Sequence, residues 1–208
     1  MGKAPAARTG HVIYHLGLGS NLGDPAKNLG RARRSLVAAG IDIRRASALY
    51  RTEPVGFAAQ PWFVNQALEI ETALSPWQLL QAAKAIEKRM GRRPAAKDGP
   101  RAIDIDILLA GSAVVRTASL TVPHPRLEMR NFVLIPLAEI AAAAIHPVLK
   151  TAIRDLLRAS RDRSRVERIE PGADRGTGRR GNRARDAGPR TRTRRRNGSR
   201  PVGRRPGS

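Results

Sequence analysis

From Ile103 to Leu109 the chain reads Ile-Asp-Ile-Asp-Ile-Leu-Leu, alternating branched apolar and acidic residues before two leucines. An extended strand resolves that pattern, because successive side chains leave on opposite faces and residues two apart share one. Ile103, Ile105 and Ile107 are therefore expected to anchor in a core. Asp104 and Asp106 then stand side by side on the other face, roughly 6.5–7 Å apart. Carboxylates so close repel each other unless a cation lies between them. Mg2+ is suited, since it prefers oxygen ligands and keeps waters and substrate phosphates, and two such ions can clamp a polyphosphate. Taken alone, Asp-x-Asp is short enough to be two solvated carboxylates on an edge strand. Its flanks favour phosphate: Arg92, Arg93, Lys97 and Arg101 lie upstream, and His124, Arg126 and Arg130 downstream. The guanidinium fork holds two phosphate oxygens at once, so cations converging on a carboxylate pair suit phosphoryl transfer.

The rest of the chain supplies a mixed frame. His11–Leu18 reads as a strand, and Asp24-Pro25 caps a helix carrying Leu29, Ala32 and Leu36 to a stop at Gly40. Ile41–Arg51 reads as a second strand and Glu53–Pro61 as a loop. Trp62–Thr72 alternates, with Trp62, Val64, Leu68 and Ile70 towards the core and Phe63, Asn65 and Ala67 opposite. Ser75-Pro76-Trp77-Gln78 is a capping box, and its helix turns Leu79, Ala83, Ile86 and Met90 inward and closes at Gly91. After the Asp-x-Asp strand come a turn at Gly111, a short strand near Val114, a helix from about Asn131 or Leu134 to Ala144, and a last helix within Lys150–Ala159. The order β-α-β-β-α-β is the ferredoxin-like split arrangement. The fold class expected is α+β, an antiparallel sheet with helices on one face.

Composition matters chiefly through charge. The net charge is +22, but thirteen Arg against two Asp between Pro171 and Ser208 carry half of it. That segment has too few apolar residues to offset its ordering entropy. Residues 1–10 are accordingly expected to be flexible, 11–160 to form the folded domain and 161–208 a disordered basic tail. Such a tail attracts polyanions through counterion release, but it has no aromatic residue to stack on a base, so no specific nucleic acid is expected. The chain has no cysteine, its opening residues MGKAPAARTGH lack the apolar run expected of a secretory signal, and no run comes near the roughly 18 apolar residues of a membrane span. A soluble cytoplasmic protein without a membrane partner is expected.

Two further groups stand out. Tyr50, Phe57, Trp62 and Phe63, four of seven aromatics, surround one loop. Phe63 beside Asn65 suits a planar heterocycle, by ring stacking and an amide that both donates and accepts, although core packing also accounts for the rings. Gly17-Leu18-Gly19-Ser20-Asn21-Leu22-Gly23 lacks both G-x-G-x-x-G spacing and G-K-[ST], and reads as a tight strand-to-helix turn.

In order along the chain, Leu18–Gly23, Tyr50–Gly56, Gln60–Asn65, Ile86-Glu87, Gly91-Arg92, Gly99–Leu108, Val122–Arg126 and Arg130–Leu134 with Pro136-Leu137 resemble the motif blocks of the 6-hydroxymethyl-7,8-dihydropterin pyrophosphokinase family. The resemblance runs from about Ile13 to His146. G-P-R-x-I-D-I-D-I-L and V-P-H-P-R carry most of it. It implies transfer of diphosphate from ATP to the pterin hydroxyl, releasing AMP, in folate synthesis, by a monomer. Asp104 and Asp106 would hold two Mg2+ ions, and Arg92 and Arg101 would neutralise charge as the bond breaks. Glu87, Lys97, His124 and Arg130 would hold the nucleotide and its phosphates, with Ile107 and Thr121 near the adenine. Thr52, Pro54, Val55, Phe63, Asn65 and Phe132 would line the pterin pocket, its ring between Phe63 and Phe132. Glu53–Pro61 and Arg92–Arg101 would be lids. The chain departs from the family pattern at Lys84 and Asp98, in a shortened Arg92–Arg101 loop, and in the Arg-rich tail.

Rival classes fit less well. Nucleotidyltransferases also pair a Gly-Ser turn with Asp-x-Asp, but about ten residues apart, whereas Ser20 and Asp104 are 84 apart. An RNA-binding module would need stacking aromatics on a sheet face and would not place two carboxylates there without metal.

Overall fold

The computed structural model describes residues 10–56, 59–92 and 99–170. These fall within one unit, Met1–Ala173, and the other unit, Asp174–Ser208, lies outside the described residues. The expectations for Phe57, for most of the Arg92–Arg101 loop and for the basic tail beyond residue 170 therefore also lie outside them. In chain order the elements are β1 (Val12–Ser20), α1 (Pro25–Ala38), β2 (Asp42–Ala46), β3 (Tyr50–Thr52), β4 (Phe63–Thr72), α2 (Pro76–Arg89), β5 (Asp104–Ala110), β6 (Val115–Arg116), β7 (Thr121–Val122), a 3-10 turn (Leu127–Met129), α3 (Asn131–Ala141), β8 (Ile145–His146), β9 (Thr151–Ala152), α4 (Ile153–Ala159) and β10 (Val166–Arg168). The main sheet runs β10-β3-β4-β1-β5, with β2 also on β4, and its pairs are antiparallel. The path β2-β4-β1-β5, crossed by α1 and α2, is the expected ferredoxin-like α+β core. Among the described residues no helix is long and apolar enough to cross a membrane.

Strand parity sorts the core. Tyr14, Leu16 and Leu18 of β1, Leu68 and Ile70 of β4, and Ile105 and Ile107 of β5 pack against Leu29 and Leu36 of α1 and Leu79 and Ile86 of α2. Ile103, Ile105 and Ile107 are at most 4% exposed, and burial of each stabilises the fold by about 1.5–3 kcal/mol. Helices are not confined to that face. Leu134 and Leu137 of α3 and Ile153 of α4 pack with Ala67, Leu108 and Leu109 on the other side. A register shift where β1 meets β5 between His15 and Leu16 turns consecutive residues Leu108 and Leu109 to this second core, as a bulge permits.

The expected strand Ile41–Arg51 is two strands on one edge of β4. Ser47 separates them, its hydroxyl accepting from the Ala67 N–H at 3.0 Å while its own N–H donates to the Ala67 carbonyl at 2.9 Å. Trp62 also departs from expectation. It precedes β4 and lies outside the core, its ring facing the guanidiniums of Arg51 at 4.6 Å and Arg165 at 5.2 Å. Cation–π attraction suits a large ring at the surface. The structure also continues past residue 160, where the domain was expected to end, because β10 adds Val166–Arg168 to the sheet beside β3.

Both early helices start as their sequences dictate. Asp24 accepts from the Lys27 N–H at 3.1 Å. Ser75 accepts from the Gln78 N–H at 3.3 Å while Gln78 accepts from the Ser75 N–H at 2.9 Å, completing the capping box. Ser75→Ala is expected to lower stability by about 1 kcal/mol and leave turnover unchanged. Chemical denaturation beside a steady-state assay checks this.

Candidate active site

The cleft lies on the α3 face, where three strands present residues in register. Gly19 pairs with Asn65 on one side and Asp104 on the other, and Gly17 with Ala67 and Asp106. The two glycines form the cleft floor. They lie in an extended strand, so they are needed for space and not for an unusual backbone. A Cβ on Gly19 would lie 2.7 Å from Asn65 Oδ1, and one on Gly17 would lie 3.3 Å from Leu108. Reading Gly17–Gly23 as a turn misses this. Two glycines at i and i+2 on one strand face were the signal that a ligand or side chain needs close approach.

Asn65 donates to Thr52 Oγ1 at 2.7 Å, fixing its amide orientation. Thr52, Phe63 and Val55 form one wall, and Phe132 and Val133 at the start of α3 form the other. Arginines flank both rings: Arg101 lies 6.0 Å from the Phe63 centroid and Arg130 lies 5.3 Å from that of Phe132. Asp104, Asp106, Arg101 and His124 complete the lining at the β5 end.

The two aspartates differ electrically. Asp104 accepts from Arg92 at 2.5 Å on one oxygen and from Arg101 at 2.5 Å on the other. Burial raises its carboxyl, but these two guanidiniums outweigh it and hold it below the ordinary carboxylate value. Asp106 has no such clamp. Burial, and then the neighbouring charge of Asp104, push it up to about 7. His124 is pushed down to about 4, first by burial and then by the charges of Arg130 and Arg126. Its Nδ1 accepts from the Arg126 N–H at 3.3 Å, so the neutral ring carries its proton on Nε2, where it can donate to an anion.

Glu87 supports this end from beneath. It is 2% exposed, and accepts from the Ile105 N–H at 2.8 Å, Arg92 at 2.5 Å and Lys84 at 3.0 Å. Asn21 ties the segment before β5 to the one before β4. It accepts from the Arg101 N–H at 2.8 Å and donates to the Pro61 carbonyl at 3.0 Å.

The structure thus gathers Arg101, Asp104, Asp106, His124 and Arg130 with Thr52, Val55, Phe63, Asn65 and Phe132 around one cleft. Arg92 and Glu87 stand behind it, and Pro54 sits in the loop between two lining residues, Glu53 and Val55. Ile107 and Thr121 are not brought to it: Ile107 turns into the α1–α2 core by strand parity, and Thr121 is exposed in the β6–β7 pair. Lys97 lies outside the described residues.

Arginines gathered beside a carboxylate pair in one cleft suit a phosphoryl-transfer enzyme. The sequence matches the family model described as 7,8-dihydro-6-hydroxymethylpterin-pyrophosphokinase (HPPK) over residues 15–142, and the chain belongs to that family. The 2-amino-4-hydroxy-6-hydroxymethyldihydropteridine pyrophosphokinase of Aquifex aeolicus is 42% identical over 144 residues, 69% of this chain and 89% of that protein. Folic acid synthesis protein fol1 of Pneumocystis carinii is 40% identical over 139 residues, 67% of this chain but 19% of that longer protein. In fold, the wild-type HPPK-DHPS structure of Plasmodium falciparum with pteroate superposes with a TM-score of 0.59 at 16% identity, covering 76% of this chain and 43% of that one.

Proposed function

We propose that this chain transfers diphosphate from ATP to the hydroxyl of 6-hydroxymethyl-7,8-dihydropterin, giving AMP and the dihydropterin diphosphate for folate synthesis. The observation that carries the reading is the single cleft joining Phe63, Asn65 and Phe132 to Asp104, Asp106 and Arg101. The ring lies between Phe63 and Phe132, with Asn65 and Thr52 reading its polar edge. The hydroxyl oxygen forms its new bond to the β-phosphorus, giving up its proton. The bond from that phosphorus to the α–β bridging oxygen breaks, and AMP leaves. Arg101 turns from Asp104 to the phosphates, with Arg92 following, and both offset the charge that gathers on the bridging oxygen. His124, Arg130 and Lys97 hold the remaining phosphate oxygens, Glu87 keeps Arg92 in place, and Pro54 and Val55 border the pterin.

The donor set fits Mg2+. Among the described residues no cluster of three or more His, Cys, Asp or Glu forms a protein cage. Two carboxylates with phosphate and water completing the shell are what this ion takes, and Asp106, raised to about 7, is a carboxylate short of positive charge. Two ions held by Asp104 and Asp106 would draw charge from the transferring phosphates. A monomer acting in the cytoplasm is part of this reading. The basic tail takes polyanions without sequence preference.

ATP labelled at the β- or γ-phosphorus tests the transfer. Either label is expected to appear in the pterin product, with an α label left in AMP. A γ label without the β label would contradict the reading. Gly19→Ala, whose methyl crowds Asn65, is expected to raise the pterin KM about tenfold with ATP KM little changed, as steady-state kinetics would show.

A further inference from the structure

The segment after α4 lies beyond the family match at residue 142, yet it touches both walls of the cleft. Helix α3 begins at Asn131 with no side-chain cap from Arg130, the residue before it. Its cap comes from 31 residues on. The Asn131 N–H donates to Asp162 Oδ2 at 2.7 Å, and the Asn131 amide donates to the Asp162 carbonyl at 2.9 Å. A carboxylate there also complements the helix dipole. The other Asp162 oxygen accepts from the Ser164 N–H at 2.8 Å and from its hydroxyl at 2.6 Å, which holds the carboxylate in this orientation. Asn131 sits between Arg130 and Phe132, both of which line the cleft.

Three residues past Asp162 the same segment grips the opposite wall. The Arg165 N–H donates to Glu53 Oε2 at 3.0 Å, and the Glu53 N–H donates to the Arg165 carbonyl at 3.1 Å. Strand β10 then pairs with Thr52, Arg51 and Tyr50, and the Arg165 guanidinium stacks 5.2 Å over Trp62. One short stretch is thus bonded to the backbone beside Phe132 and to the backbone beside Thr52.

We infer that residues 160–169 are a strap setting the distance between the two walls of the pterin cleft, with Asp162 as its positioning residue. This rests on the pterin reading of that cleft. Asp162 touches no substrate. It acts by holding Phe132 opposite Phe63, and a ring sandwiched between two faces responds to small changes in their spacing. A displacement of about 1 Å in a positioning element changes rates up to a hundredfold.

The test is steady-state kinetics of the full chain with Mg2+, ATP and 6-hydroxymethyl-7,8-dihydropterin. Asp162→Ala is expected to raise the pterin KM about tenfold, with kcat and the ATP KM within about twofold. Asp162→Asn keeps an acceptor for the Asn131 N–H and is expected to recover most of the loss. Ser164→Ala, a milder change that loosens the same carboxylate, is expected to raise the pterin KM about threefold. A merely structural role would lower the active fraction, and so kcat, with both KM values unmoved; that result overturns the strap. An unchanged pterin KM in Asp162→Ala and Ser164→Ala also overturns it. Absence of pterin-dependent turnover in the unaltered chain would instead sink the pterin reading, and the strap with it.

Discussion

Asp106→Asn is expected to cut kcat at saturating substrates by about a thousandfold or more, yet to make the metal-free protein more stable near pH 8. The first effect comes from removing half of the carboxylate pair that would hold the metal. The second comes from the difference between folded and unfolded titration. An aspartate in an unfolded chain loses its proton near 3.9, whereas folded Asp106 holds it to about 7. Between those values the folded state binds more protons, so this residue's contribution is full below pH 3.9 and is lost as pH rises through 7. The loss near pH 8 is on the order of 2–4 kcal/mol, and the neutral amide avoids it. His124, lowered to about 4, works in the opposite sense, but only below its unfolded value of about 6.5, and so has no part near pH 8. Thermal denaturation in chelator should show Asp106→Asn melting about 5–10 °C above the unaltered protein near pH 8 and by only about a third of that margin near pH 5. An equal shift at both pH values would refute the electrostatic origin of the effect.

The second large effect is expected at Arg101. Arg101→Ala should lower kcat by about 10³–10⁵, the range for an arginine that meets transition-state charge in phosphoryl transfer. Arg101 lines the cleft and already pairs with Asp104 at 2.5 Å. Its Nε donates to the Gly99 carbonyl at 3.0 Å, which aims the fork. Arg101→Lys should restore only part of the rate, because a point charge replaces a planar fork. Arg92 stands behind the cleft and also pairs with buried Glu87, so Arg92→Ala should lose less in kcat. Full activity in Arg101→Lys would show that charge alone suffices there.

Much of this site was legible in the sequence because strand parity is local. The alternation in Ile103–Leu109 already put Asp104 and Asp106 on one face, and Phe63 with Asn65 came by the same rule in β4. The helix caps and stops depend on four or five neighbouring residues and were equally plain. The features that stayed hidden depend on distant partners. Trp62 fits the core by parity, but guanidiniums from Arg51 and Arg165 hold it at the surface. The break at Ser47 reflects bonds to Ala67, twenty residues on. Helix α3 reads as one more apolar helix, and only the register shift that turns Leu108 and Leu109 together shows that it covers the second face. Residues 161–169 share the arginine-rich composition of the basic tail. Their role comes from Asp162 reaching Asn131 and Arg165 reaching Glu53, contacts that no local pattern encodes.

The most direct measurement of the central claim is AMP release from ATP and Mg2+, with and without 6-hydroxymethyl-7,8-dihydropterin, by the unaltered chain and by Asp104→Ala. Diphosphate transfer to the pterin predicts AMP that appears only with the pterin, in equal amount to pterin diphosphate, and that is lost in Asp104→Ala. AMP formed without the pterin, or ADP in its place, would contradict it.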